Sequence, residues 1–228
     1  VNRVVQHRLL EWQKKSVRLP LIIQGARQVG KTHMMKWLGE TQFRQFVYFN
    51  FDERPELNEF FEKNKDVDRI VSSLSLIGGV SIDEDTLIIL DEIQECPNAL
   101  NALKYFAEKK PRLAVVCAGS LLGLLLLKGY SFPVGKVEFL TMYPMTFREV
   151  LPYWNKRSAQ FLEQLDEINP IPELFFNDLE DDFRKYLITG GMPAVISAFN
   201  QSRIFGESES ILENLILSYR GDFAKHPV

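Results

Sequence analysis

Up to about residue 145, short unbroken apolar runs alternate with longer stretches in which apolar residues recur every three or four positions. The runs at 19–24, 46–51, 86–90, 113–118 and 137–140 have strand length, and the second is dense in aromatics. Between them, 4–14, 32–39, 55–63, 67–77 and 97–109 carry helical spacing, and a short apolar helix is expected at 121–127. Pro55 sits where a helix starts. Strands that are apolar throughout are buried on both faces, as in a parallel sheet covered by helices on each side. Strand alternating with helix therefore predicts a three-layer α/β fold. After Phe147 the strand pattern stops. Helical spacing continues over 146–154, 158–168, 172–188 and 202–219, interrupted by Pro170, Pro172, Gly190-Gly191 and Pro193. The chain is expected to divide into an α/β core over 1–150, including the N-terminal helix, and a smaller helical subdomain over 151–228.

Chemistry enters at the end of the first strand. Gly25-Ala26-Arg27-Gln28-Val29-Gly30-Lys31-Thr32 fits GxxxxGK[ST], between a strand and a helix start. A chain that leaves a strand through a glycine turn into a helix converges backbone N–H groups on one point, with the helix dipole aimed there too. Such a nest holds phosphate. Gly25 and Gly30 permit backbone angles that a Cβ would block. Arg27, Gln28 and Val29 inside the turn are candidate nucleotide contacts, with Arg27 and Gln28 placed to meet phosphate or a partner; Lys31 would reach the β- and γ-phosphates, and the Thr32 hydroxyl would hold Mg²⁺. His33, one residue on, either adds a nucleotide contact or is an ordinary helix residue.

The apolar run 86–90 ends in Asp91-Glu92, at the strand end where open α/β sheets bind ligands. Asp91 would hold Mg²⁺, and Glu92 would orient and deprotonate an attacking water. A guanine site is disfavoured: Gln94 stands where GTPases need glycine, and Asn64-Lys65-Asp66-Val67 precedes this strand instead of following it. Adenine is the expected base. Ser120 follows the strand at 113–118, where it could contact the γ-phosphate or the attacking water, or cap the next helix.

These elements carry a resemblance. Residues 20–32, Leu90-Asp91-Glu92-Ile93-Gln94, Ala118-Gly119-Ser120, Gly135-Lys136-Val137, Tyr143-Pro144-Met145-Thr146-Phe147-Arg148-Glu149, Gly190-Gly191-Met192-Pro193 and Tyr219-Arg220-Gly221-Asp222 follow one another as in the prokaryotic AAA+-like P-loop ATPases that usually carry a C-terminal domain of unknown function. The resemblance spans nearly the whole chain. It implies a P-loop NTPase sheet with Walker A and Walker B elements, followed by an all-helical lid, with ATP and Mg²⁺ as cofactors. Family members run on past residue 223, so it also implies a piece lacking the C-terminal domain. Arg148, Arg220 and Lys136 are candidates for a cation supplied to a neighbouring subunit's nucleotide, which implies a homo-oligomer.

Charge and cysteine content narrow the partners. Formal charge is −3, divided as +2 over residues 1–154 and −5 over 155–228. Neither part is basic enough for a general nucleic-acid footprint. Cys96 and Cys117 do not make a disulfide framework, and His7, His33 and His226 have no metal-ligand spacing. No targeting segment is evident, and the longest apolar stretch, 113–127, is broken by Gly119-Ser120 and is too short to span a bilayer. A cytoplasmic protein without a membrane partner is expected. Two functions follow: an ATPase that couples Mg²⁺-dependent hydrolysis to conformational change on a protein or nucleic-acid partner, or a nucleotide-gated switch with little turnover. A small-molecule kinase is disfavoured because the lid segment is acidic.

Overall fold

The computed structural model describes residues 3–62, 66–120, 133, 135–165 and 170–225. Among these residues five strands form one parallel sheet: β1 (Leu21–Gln24), β2 (Gln45–Asn50), β3 (Thr86–Asp91), β4 (Ala114–Gly119) and β5 (Glu138–Thr141), in the order β2-β3-β4-β1-β5. Every residue of β3 and β4 is buried, as a strand covered on both faces must be. Helices α1 (Val4–Gln13), α2 (Lys31–Gln42), α3 (Glu59–Glu62), α4 (Val67–Gly78) and α5 (Pro97–Lys109) supply the cover. Ile22, Val47, Phe49, Ile88, Leu90, Val115 and Cys117 point to one face and pack with Leu57, Phe61, Ile70, Leu74, Leu103 and Phe106. On the other face α2 buries Met34, Met35 and Leu38, and its Gly39 lies so close to Phe46 that any Cβ would press into the ring. The strand and helix expectations therefore hold as a three-layer α/β architecture. The apolar helix expected at 121–127 lies outside the described residues, and the 113–127 stretch does so in part.

Register puts the strand ends level. Gln24 pairs with Gly119 on one side and Thr141 on the other, and its Nε2 donates to Thr141 Oγ1 at 2.9 Å. Leu90 pairs with Cys117, so Asp91 leaves the sheet beside the tip of β4. The expected fifth strand ends at Thr141, before Tyr143-Pro144-Met145. This body comprises Val5–Met142.

The second compact unit comprises Val1–Val4 with Tyr143–Val228. Its described helices are α6 (Phe147–Trp154), α7 (Lys156–Glu163), α8 (Glu173–Thr189), α9 (Pro193–Ser202) and α10 (Phe205–Lys225). The stretch 202–219 read as one helix is instead the end of α9, a turn at Arg203 and most of α10. Arg203 ends α9 with a positive φ of 58°, a conformation sequence rules assign to glycine or asparagine. Thr146 and Glu149 form a reciprocal capping box at the start of α6. The Gly190-Gly191 turn ends α8, and Gly191 lies against the Met145 carbonyl too closely for any side chain. Among the described residues no helix is long and apolar enough to cross a membrane.

Within this unit Arg3 Nε donates to Glu149 Oε1 at 3.0 Å, and Val4 N–H donates to the same oxygen at 2.7 Å. Both side chains are nearly inaccessible, at 5% and 8% exposure. Burial pushes the Glu149 carboxyl up, but the N–H groups of Thr146 and Val4 and the Arg3 guanidinium outweigh it and hold the group below its ordinary value. A carboxyl whose folded pKa is depressed contributes stability above the unfolded value of about 4.3 and loses it as pH falls through the folded value. Glu149→Gln is expected to cost about 3 kcal/mol near neutral pH, because the buried Arg3 guanidinium and the Thr146 and Val4 N–H groups lose the carboxylate charge they face. Thermal melts from pH 7 to pH 3 should show the gap from wild type narrowing on the acid side. A pH-independent gap would assign the loss to packing.

Candidate functional site

The site begins where β1 leaves the sheet. Gly25 has φ 151°, and a Cβ there would collide with the Met142 carbonyl, so only glycine lets the turn pass the exit of β5. Gln28 (φ 63°) and Gly30 (φ 96°) are both left-handed, which folds the segment into a compact loop. The Val29 side chain is fully buried and anchors the loop in the core, so only its backbone can meet a ligand. Helix α2 starts at Lys31 with Gly30 as N-cap and no side-chain cap, leaving its first turn to be satisfied by other means. A backbone arranged in this way could cradle an anion.

Lys31 is 6% exposed, and its Nζ donates to the Gly25 and Ala26 carbonyls, each at 2.9 Å. Burial lowers its pKa, Glu92 and Asp91 act against that, and the neighbouring Arg27 charge adds to it. Thr32 Oγ1 donates to Asp91 Oδ2 at 2.6 Å. Asp91 is 2% exposed and also accepts from the Tyr48 hydroxyl at 3.0 Å and the Glu92 N–H at 3.0 Å. Burial, with Asp91 beside it, pushes the Tyr48 phenol well above its ordinary pKa, so it stays a donor. Lys36, one turn along α2, stacks its ammonium 4.0 Å from the Tyr48 ring centre.

Glu92 follows with φ 49°, a left-handed conformation uncommon for a side-chain-bearing residue. Its Oε2 accepts from Gln94 Nε2 and, at 3.5 Å, from Ser120 Oγ. Arg27 Nε donates to Ser120 Oγ, also at 3.5 Å. Arg27, Ser120, Glu92 and Gln94 therefore form a polar chain beside the Lys31–Thr32–Asp91 cluster. Gln94 is buried, and its Oε1 has no hydrogen-bond partner among the described residues.

The structure thus brings together Gly25, Arg27, Gln28, Val29, Gly30, Lys31, Thr32, Asp91, Glu92 and Ser120. His33 does not join them, being exposed on α2. The helix Ser120 was expected to cap lies outside the described residues. Lys136 pairs with Glu108 at 3.0 Å, and Arg148 and Arg220 are exposed in the helical unit. Two site residues escape sequence reading. Tyr48 looks like one more strand aromatic, although alternation from the polar Asn50 at the strand end puts both on one face. Gln94 offers only its spacing of two from Glu92.

Cys96 and Cys117 are both buried and unbridged. Burial pushes the Cys96 thiol up to about 11, so neither it nor the more deeply buried Cys117 is a nucleophile. Among the described residues no three His, Cys, Asp or Glu side chains meet as a metal cage. The oxygens of Thr32 and Asp91 nonetheless fit a hard cation that takes few protein ligands and the rest from phosphates.

No curated protein matches the chain. Among solved structures it is similar to C. elegans PCH-2 (15% identity, TM-score 0.45, covering 95% of this chain and 67% of that one). It is also similar to a chain of Drosophila ORC bound to DNA (17% identity, TM-score 0.43), of which it spans 55% of the length while 86% of this chain is covered. The model of the AAA domain matches residues 17–151, more than half of the chain, from just before β1 into α6. The chain belongs to the AAA domain family of ATPase-like nucleotide-binding proteins.

Proposed function

We propose that this chain is a Mg²⁺-dependent ATP hydrolase that couples turnover to a conformational change acting on a protein or nucleic-acid partner. One observation carries the reading: Thr32 Oγ1 sits 2.6 Å from Asp91 Oδ2, which joins the phosphate loop to the acidic strand end, with Glu92 next in the chain. Mg²⁺, when bound, would neutralise charge on the phosphates. Thr32 would offer it a hydroxyl lone pair while its O–H donates to Asp91, and Asp91 would hold it with Tyr48 fixing the carboxylate. Lys31 would exchange the Gly25 and Ala26 carbonyls for phosphate oxygens. Glu92 would take a proton from the attacking water, with Gln94 positioning its carboxylate.

The direct test is calorimetric binding of ATP with and without Mg²⁺, followed by phosphate release over a series of protein concentrations. Binding that strengthens with Mg²⁺, together with turnover, is the expected result. Binding without turnover would identify a nucleotide-gated switch, and no binding would end the reading.

A further inference from the structure

Arg27 is a cation placed inside the phosphate turn itself. We propose that it acts in cis, donating N–H groups to the phosphoryl oxygens on which charge grows during hydrolysis, so that turnover does not require a cation from a neighbouring copy. The inference rests on the ATPase reading above.

Three observations carry it. Arg27 is only partly exposed, and its Nε faces Ser120 Oγ at 3.5 Å, which in turn faces Glu92 Oε2 at 3.5 Å. The guanidinium therefore lies on the side of the loop that holds the proposed base. Lys31, four residues on, puts a second cation in the same turn. Two cations in one turn repel each other, and an anion between them turns that repulsion into attraction for both. Finally, Lys136 is already paired with Glu108. In the step itself Glu92 takes a proton from water as the water oxygen bonds phosphorus. The bridging P–O bond breaks with its electron pair leaving on ADP, and Arg27 would stabilise the transferring group with its planar fork of donors.

The probe is ADP with aluminium fluoride, a mimic of the transferring phosphoryl group. It is titrated into wild type, Arg27→Ala and Arg27→Lys at a concentration where sedimentation shows single copies. Wild type should bind the ADP–fluoride complex more tightly than ADP. Arg27→Ala should lose about 100-fold or more of that excess while binding ADP within a few-fold, and Arg27→Lys should recover part of it. Wild-type turnover per molecule should not change with protein concentration. The proposal is overturned if Arg27→Ala keeps the wild-type excess, including when it loses turnover alone. It is overturned equally if wild type shows no excess, or shows it only where copies associate. In that last case the ATPase reading survives. If wild type binds neither ADP nor ATP, both fail together.

Discussion

Replacing Lys31 by methionine is expected to weaken nucleotide binding about 30-fold or more while leaving the nucleotide-free fold at least as heat-resistant as wild type. The two halves of this result have one cause. Lys31 is held in a nearly inaccessible position, where burial and the nearby Arg27 charge both act against its ammonium. Its folded pKa lies below the unfolded one. Between those two values the unfolded chain binds more protons, so wild-type stability rises with pH through that alkaline window. Below the window the charged form is a cost, and methionine, of similar length, carries none. Two hydrogen bonds to the loop carbonyls are lost in exchange, at about 1 kcal/mol each, and these keep the gain small. With phosphate in the loop the balance reverses. Removing one partner of a buried charge pair costs about 2–5 kcal/mol, or about 30- to 4000-fold in Kd. Calorimetry with MgADP and a thermal melt read both halves. Wild-type affinity in Lys31→Met would remove Lys31 from the site.

Glu92→Gln should do the opposite, keeping MgATP affinity and losing about 100- to 10,000-fold in turnover, the range a positioned general base supplies. The amide is isosteric, so its oxygen can still accept from Gln94 and Ser120, and the backbone conformation is untouched. Only proton acceptance is lost. Single-turnover phosphate release beside equilibrium binding separates the two quantities. Hydrolysis at the wild-type rate would transfer the base role elsewhere, and a parallel loss of binding would make Glu92 a nucleotide ligand instead.

What could be read from the residues follows from the range of the interactions involved. The strands that became β3 and β4 declare themselves because burial on both faces leaves no polar position between Thr86 and Asp91 or along Ala114–Gly119. The phosphate loop is legible because its chemistry is local: glycine, lysine and threonine at fixed offsets within one turn. Asp91 could be placed because a parallel sheet sends its ligand sites to one end. Tyr48 could not, since its contact with Asp91 depends on β2 pairing in register with β3, where Asn50 sits opposite Asp91. The Arg3–Glu149 pair joins residues 146 apart in sequence, and no local pattern announces it. The boundary at Arg203 was invisible for another reason, since a left-handed cap held by an arginine leaves no glycine to mark it.

The backbone at Glu92 sets two selective pressures against each other. A side chain at φ 49° is tolerated there only because the surrounding structure holds it, at a cost of about 1–3 kcal/mol. Glycine or asparagine would occupy the position with less strain, and neither could accept the proton. A library sorted for heat resistance would drift toward those residues at position 92, and one sorted for turnover would keep the acid. In homologous sequences, the residue found at this position would therefore report which kind of selection each lineage has been under, independently of whether its fold has survived.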